Sequence, residues 1–323
     1  MRRIITFNGP IEDEIKEFMK FRKALGFAMR NTAYIYAEFD RFLKKNHPKM
    51  RIITRSMVVD YLATTTHLHS TSRGYRVTLL RGFCRYLYQK NPKHYVPEPR
   101  LLVWGKRKLT PHVYTDGEIE KILREIKKLK RRGPTVPEVY STAISVIAAT
   151  GLRAGEIERL NLEDADLKNG VLTIQRSKFY KSRLVPISES TRKALKRYLA
   201  LRTKGFPTSN PKSAFFIGFS GKRITANAMS RILRKITRKL NFKTKLGTWP
   251  RLHDLRHTFA TRTMEDIYKD GSDPSASLPI LATYMGHVNL DHTQTYLHPS
   301  IDLLEKAGEK FKTYSNSYRQ GES

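Results

Sequence analysis

Apolar residues recur at helical spacing on both sides of a break between Asn91 and Val113, where Pro92, Pro97, Pro99 and Pro111 accumulate. Helical periodicity flanking a proline-rich break predicts two mainly helical domains rather than one continuous core. Ahead of the break, Ile11, Ile15, Phe18, Met19, Arg22 and Leu25 predict a helix stopped by Gly26. Asn31-Thr32 opens a second helix with Ile35, Phe39 and Leu43, and a third begins near Thr54 with Met57, Tyr61 and Leu62. Thr71 to Lys90 makes a fourth with Val77, Leu80, Cys84 and Leu87. Residues 1–105 therefore read as an all-helical domain, and 106–113, with Lys106, Arg107 and Lys108, as a basic linker.

A second domain is expected over residues 114–298. Thr115-Asp116-Gly117-Glu118 has capping-box spacing and opens a helix through Ile119, Ile122, Leu123 and Ile126. Val139 to Ala149 is a mostly apolar helix stopped by Thr150-Gly151, and Arg153 to Leu160 resumes helical spacing. Val171 to Gln175 and Arg183 to Ile187 read as two strands flanking the turn Ser177 to Lys181. Helices or helical turns are expected at Thr191 to Leu201, Thr225 to Leu240, His253 to Tyr268, Leu278 to Met285 and Asp291 to Tyr296. The fold class is thus mainly α with a small β-sheet. In the tail, 299–323, Leu304, Ala307, Phe311 and Tyr314 make Ile301 to Tyr314 amphipathic, suited either to closing the domain or to docking on a partner subunit.

Charge narrows the partner. The 323 residues hold 61 Lys+Arg against 29 Asp+Glu, a formal net charge of +32. Residues 1–110 carry +15 and the remainder +17, so the excess is spread over both domains as a phosphate-following surface requires. Arg73, Arg76, Arg81 and Arg85 punctuate the fourth helix, and Arg231, Arg234, Lys235 and Arg238 form a stripe at i, i+3, i+4 and i+7 opposite apolar Ile232, Ile236 and Leu240. Both sets are candidate DNA contacts. The lone Cys84 excludes a disulfide framework and fits a reducing cytoplasm, and no run of ~18 apolar residues predicts a membrane span.

Phosphodiester cleavage without a metal needs cations, imidazoles and a hydroxyl nucleophile, and four segments supply them. Thr150-Gly-Leu-Arg153-Ala-Gly-Glu156 places an Arg where one helix stops and the next begins. Lys178 stands on the hairpin turn, with Lys181 and Arg183 close behind. Arg251-Leu-His253-Asp-Leu-Arg256-His257 puts His253 and Arg256 on one helix face. His253 and His257 also have the spacing of a zinc pair, but Asp254 stands where H-E-x-x-H has Glu, so no metal is expected. Last, Gly286-His287 is followed nine residues later by Tyr296.

In this order and spacing the four segments resemble the tyrosine recombinase, or phage integrase, family, over about residues 112–298. The resemblance implies a SAM-like helical core-binding domain in front of a mixed catalytic domain. It implies Tyr296 as nucleophile, Arg153, His253, Arg256 and His287 around the scissile phosphate with Lys178 on the hairpin turn, and Glu156 as a buttressing carboxylate; the leaving 5′-oxygen needs a proton, and Lys178 is the candidate acid. The physical roles agree: a phenol of pKa ~10 needs cations or a base to attack, and paired guanidinium donors suit the charge growing on a five-coordinate phosphorus. No Walker A loop or Gly-rich nucleotide turn occurs, so no cofactor is expected. The implied partners are double-stranded DNA and a homotetramer on two sites, with accessory DNA-bending or partner recombinase proteins. Type IB topoisomerase-like relaxation and a non-catalytic DNA-binding accessory role are the alternatives. The stretch from Arg256 to His287 is longer than in compact members of the family, the extra residues being read as a loop around Lys269 to Ser277.

Overall fold

A computed structural model describes residues 5–27, 29, 32–99, 101, 111–129, 136–175 and 182–286. The linker cations Lys106, Arg107 and Lys108, the hairpin tip with Lys178, the segment with His287 and Tyr296, and the tail helix expected from Ile301 lie outside the described residues. The chain divides into two compact units, Met1–Leu109 and Thr110–Ser323.

The first unit contains α1 (Glu12–Ala24), α2 (Ala33–Asn46), α3 (Arg55–Ala63) and α4 (Ser70–Lys90), the four helices expected. Their ends follow local chemistry. Gly26 takes a φ of +83° just past α1, where a Cβ would be strained, and the Thr54 hydroxyl accepts the Met57 N–H at the start of α3. Ile15, Phe18, Phe39, Leu43, Leu80, Phe83 and Leu87 meet in one core. Buried Asp40 accepts the backbone N–H groups of Asn8, Gly9 and Ile11, which ties the entering chain to α2. Cys84 is fully buried and its thiol is pushed up to about 12 by burial, so it packs rather than reacts.

The four arginines of α4 do not form one exposed face. At about 100° per residue their positions spread over roughly 180° of the helix. Arg76 is 7% exposed and donates to Glu38 at 3.0 Å, an internal ion pair that removes it from any phosphate-facing surface. Arg81 donates to the Pro97 carbonyl, Arg73 is half-buried and Arg85 is exposed.

The second unit runs α5 (Asp116–Lys127), α6 (Glu138–Thr150), α7 (Ala154–Arg159), β1 (Ala165–Asp166), β2 (Val171–Ile174), β3 (Arg183–Pro186), α8 (Glu189–Gly205), α9 (Ala226–Lys239), α10 (Leu252–Lys269) and α11 (Pro274–Met285). The Thr115 hydroxyl and the Glu118 carboxylate cap α5 reciprocally, as the spacing predicts. Apolar α6 buries Val139, Ala143, Ile144, Val146 and Ile147 and packs against α5, α8 and α10, so it is the central helix of this core. The strands form an antiparallel sheet in the order β1-β2-β3, with Leu172 opposite Val185. Two-residue β1 carries too little pattern to be read from sequence. The expected loop from Lys269 to Ser277 is shorter than that: Asp273 caps the Ser275 N–H and Pro274 opens α11, so residues 274–277 are helical. Pro is favoured in a first helical turn, where its missing N–H costs nothing.

Candidate active site

Three helix ends bring the predicted residues together. Helix α6 stops at Gly151, whose φ of +62° and whose place against Phe259, 2.5 Å from where a Cβ would stand, both require glycine. Two residues later Arg153 stands just ahead of α7. Its backbone N–H donates to Glu156 Oε2 at 3.0 Å, and its guanidinium donates to Glu156 Oε1 at 2.9 Å and to the Gly286 carbonyl at 2.8 Å. Arg256, in the second turn of α10, is 1% exposed and donates to the carbonyls of Gly151 at 2.6 Å and Met285 at 2.8 Å. Helix α11 ends at Met285, followed by Gly286 in the left-handed region at φ +68°. The predicted Arg153 and Arg256 are therefore adjacent, both anchored on the chain that leads into His287.

Glu156 is the anion of the cluster. Burial would raise its pKa, but Arg183 and Arg153 outweigh this and hold it below the ordinary carboxylate range. Arg183 contributes two donors, at 3.1 Å to Oε1 and 2.9 Å to Oε2, and its Nε donates to the Tyr284 carbonyl at 2.7 Å. Arg183 is not among the residues that the four sequence segments mark as catalytic. The signal was the strand's period of two: Arg183 and Val185 share a face, and Val185 is fully buried, so Arg183 must point inward.

The pKa of His253, in the first turn of α10, is lowered by desolvation, then by Arg256, Arg251 and Arg153, which favours its neutral imidazole. His257 lies edge-on to it, ring centroids 4.8 Å apart, and desolvation followed by the His253 interaction lowers it to about 4. Among the described residues no group of three His, Cys, Asp or Glu side chains could hold a metal. The start of α10 is fixed by Asp254, whose carboxylate accepts the Arg251 N–H at 2.8 Å, and by Thr258, whose hydroxyl accepts the Tyr114 N–H at 2.9 Å.

On α9, Arg231, Arg234, Lys235 and Arg238 are all exposed, while Met229, Leu233 and Ile236 are buried. The four cations expected to form a stripe are thus exposed. Arg238 and Lys243 also stand over the Trp249 ring, 5.8 and 5.6 Å from its centroid.

Two guanidiniums, one of them held by a buried carboxylate and the other by backbone carbonyls, with an imidazole beside them, suit a phosphodiester. Comparison with known proteins names the family: the Phage integrase family profile matches residues 113–302, more than half of the chain. The chain belongs to that family, the tyrosine recombinases, enzymes that cleave and rejoin DNA. The y4rB protein of Sinorhizobium fredii, named as an integrase/recombinase, is 31% identical over 91% of this chain and 94% of its own length. Tyrosine recombinase XerC of Thermodesulfovibrio yellowstonii is 29% identical over 84% of this chain and 86% of its own. The fold matches that of the Tn1549 transposon integrase in complex with transposon right end DNA, at a TM-score of 0.65 and 20% identity over 91% of this chain and 98% of that one. XerH recombinase bound to a palindromic difH substrate matches at 0.62, with 22% identity over 87% and 78%. No described helix is long and apolar enough to cross a membrane.

Proposed function

We propose that this protein is a site-specific recombinase that cleaves double-stranded DNA through a 3′-phosphotyrosyl intermediate, without metal or ATP. The observation that carries the reading is the convergence of Arg153 and Arg256 on the end of α11, directly ahead of His287, with Glu156 bound to Arg153 and His253 within electrostatic reach of both arginines. In this mechanism the Tyr296 oxygen attacks phosphorus and its proton passes to neutral His253. Arg153, Arg256 and His287 stabilise the charge that grows on the non-bridging oxygens, and the P–O5′ bond breaks as Lys178 protonates the leaving oxygen. Guanidiniums have five N–H donors each, so the bonds Arg153 makes to Glu156 and Gly286 orient it without using all of them. The phosphotyrosyl ester stores the bond energy, and attack by a 5′-hydroxyl of another strand rejoins the DNA. Loss of either arginine costs about 10²–10³ in rate, by analogy with the removal of an oxyanion-hole donor.

The exposed cations of α9, with Arg73, Arg81, Arg85 and the linker's Lys106, Arg107 and Lys108, are proposed to follow the DNA backbone. Assembly is proposed as a homotetramer on two DNA sites, helped by accessory DNA-bending or partner recombinase proteins, with the segment from Ile301 exchanged between subunits. The test is incubation with DNA flanking the gene, including nicked suicide substrates, followed by denaturing gel electrophoresis. A covalent protein–DNA adduct is expected from the wild type and none from Tyr296→Phe. An adduct that persists in Tyr296→Phe removes the nucleophile assignment. A circular substrate with two sites then separates recombination from simple relaxation.

A further inference from the structure

Three consecutive carbonyls at the end of α11 each receive a different arginine: Tyr284 from Arg183, Met285 from Arg256 and Gly286 from Arg153. Two of these arginines belong to the proposed phosphate site. Arg183 belongs to β3, and its side chain is only 10% exposed. It holds both oxygens of Glu156 on one edge and the last turn of α11 on the other. It also packs so closely on the exit from α11 that a Cβ on Gly286 would lie 2.7 Å from its Nη1. The Tyr284 hydroxyl closes the same contact from the other side by donating to the Pro186 carbonyl of β3 at 3.2 Å.

We infer that Arg183 is a positioning residue for strand cleavage, a two-ended brace that fixes Glu156, and through it Arg153, relative to the turn from which the chain departs toward His287 and Tyr296. The inference rests on the proposed cleavage reaction and adds a residue to it. A guanidinium is suited to the task because it is planar and offers parallel donors to a carboxylate while its Nε–H points along a different edge. A lysine supplies the charge at one point and cannot bridge both partners. Misplacing a reacting group by about 1 Å costs on the order of 10² in rate, which sets the expected effect.

Charge and bridging are separable by experiment. Glu156 is faced by Arg153 from the start of its own helix and by Arg183 from the sheet. With Arg183→Gln the carboxyl keeps its burial and loses its stronger cationic neighbour, so it protonates at a higher pH. With Arg183→Lys the charge stays and the bridge is lost.

The experiment measures single-turnover adduct formation on a suicide duplex, together with DNA affinity and thermal melting, for the full chain. Arg183→Gln is expected to form the adduct about 10²-fold more slowly, with DNA affinity within about threefold of wild type, and to lose rate further as pH falls through a range where the wild type is flat. Arg183→Lys is expected to fold, to keep the wild-type pH profile and to cleave about tenfold more slowly or worse, because only the bridge is missing. Wild-type cleavage rates in Arg183→Lys overturn the brace, whether or not the Gln variant folds. So does a Gln variant whose loss of rate matches its loss of DNA affinity and shows no new acid limb. If the wild type itself forms no adduct, the cleavage reading falls and takes the brace with it. Wild-type adduct with full-speed variants overturns the brace alone.

Discussion

His257 is kept neutral by burial and by the edge of His253, with its pKa down at about 4. In the unfolded chain the same imidazole takes a proton near 6.5. Between those values the unfolded state binds more protons, so stability falls as pH drops from about 6.5 to 4 and the loss is complete below the folded value. The full shift corresponds to about 3 kcal/mol, which partial solvent exposure reduces to roughly 1–2 kcal/mol. His257→Gln lacks this dependence. Unfolding free energies of the two proteins, measured by denaturant titration at pH 7 and pH 4, should converge by that amount, and parallel pH curves would refute the assignment. At this scale the sequence discloses residues whose role follows from a local pattern. Arg153 and Glu156 stand three apart beside a helix stop, and His253 and Arg256 share a helical face. Arg76 misleads for the opposite reason: its helical position is visible in the sequence, but its partner Glu38 comes from another helix. No spacing rule contains that contact.

Among the elements, α9 has the sharpest division of labour, with buried Met229, Leu233 and Ile236 on one side and four exposed cations on the other. The exposed charges make no contribution to the core, so exchanging them should be nearly neutral for stability. Each phosphate they neutralise contributes about 0.9 to the slope of log K against log salt. Arg231→Gln with Arg234→Gln should therefore leave the melting temperature within about a degree or two and flatten that slope by roughly 1–2. An unchanged slope in a salt series of binding isotherms would show that α9 faces away from the DNA. Helices such as α5 and α9 are legible because capping residues and apolar periodicity agree. The start of α11 was hidden by its composition: Asp273-Pro274-Ser-Ala-Ser277 reads as a loop, yet Asp at the cap and Pro in the first turn are also how a helix begins. β1, with two residues, exists only through its pairing to β2.

Over the whole molecule, each unit owns its core: Phe18, Phe39, Leu80 and Phe83 in the first, and Ile144, Ile147, Leu172, Val185 and Leu233 in the second. Residues 1–109 and 110–323 should each melt cooperatively when produced separately, as monitored by circular dichroism. Because the net charge is divided almost evenly, each piece should bind duplex DNA with a shallower salt slope than the full chain. A piece that fails to melt cooperatively, or one that carries the entire slope, would contradict the division. The boundary between the two units falls inside the proline-rich interruption, whereas the set of arginines that joins α7, β3 and α10 to the end of α11 depends on long-range packing. That set has a consequence for inheritance. Replacing Glu156 takes a shared acceptor from two guanidiniums, replacing Arg183 leaves the carboxylate to Arg153 alone, and any side chain at residue 286 collides with Arg183 while forcing a backbone angle that suits glycine. A change at any one of these positions weakens contacts made by the others. Descendants of this sequence should keep Arg153, Glu156, Arg183 and Gly286 as one indivisible block, even where the DNA-facing surface has drifted to new targets.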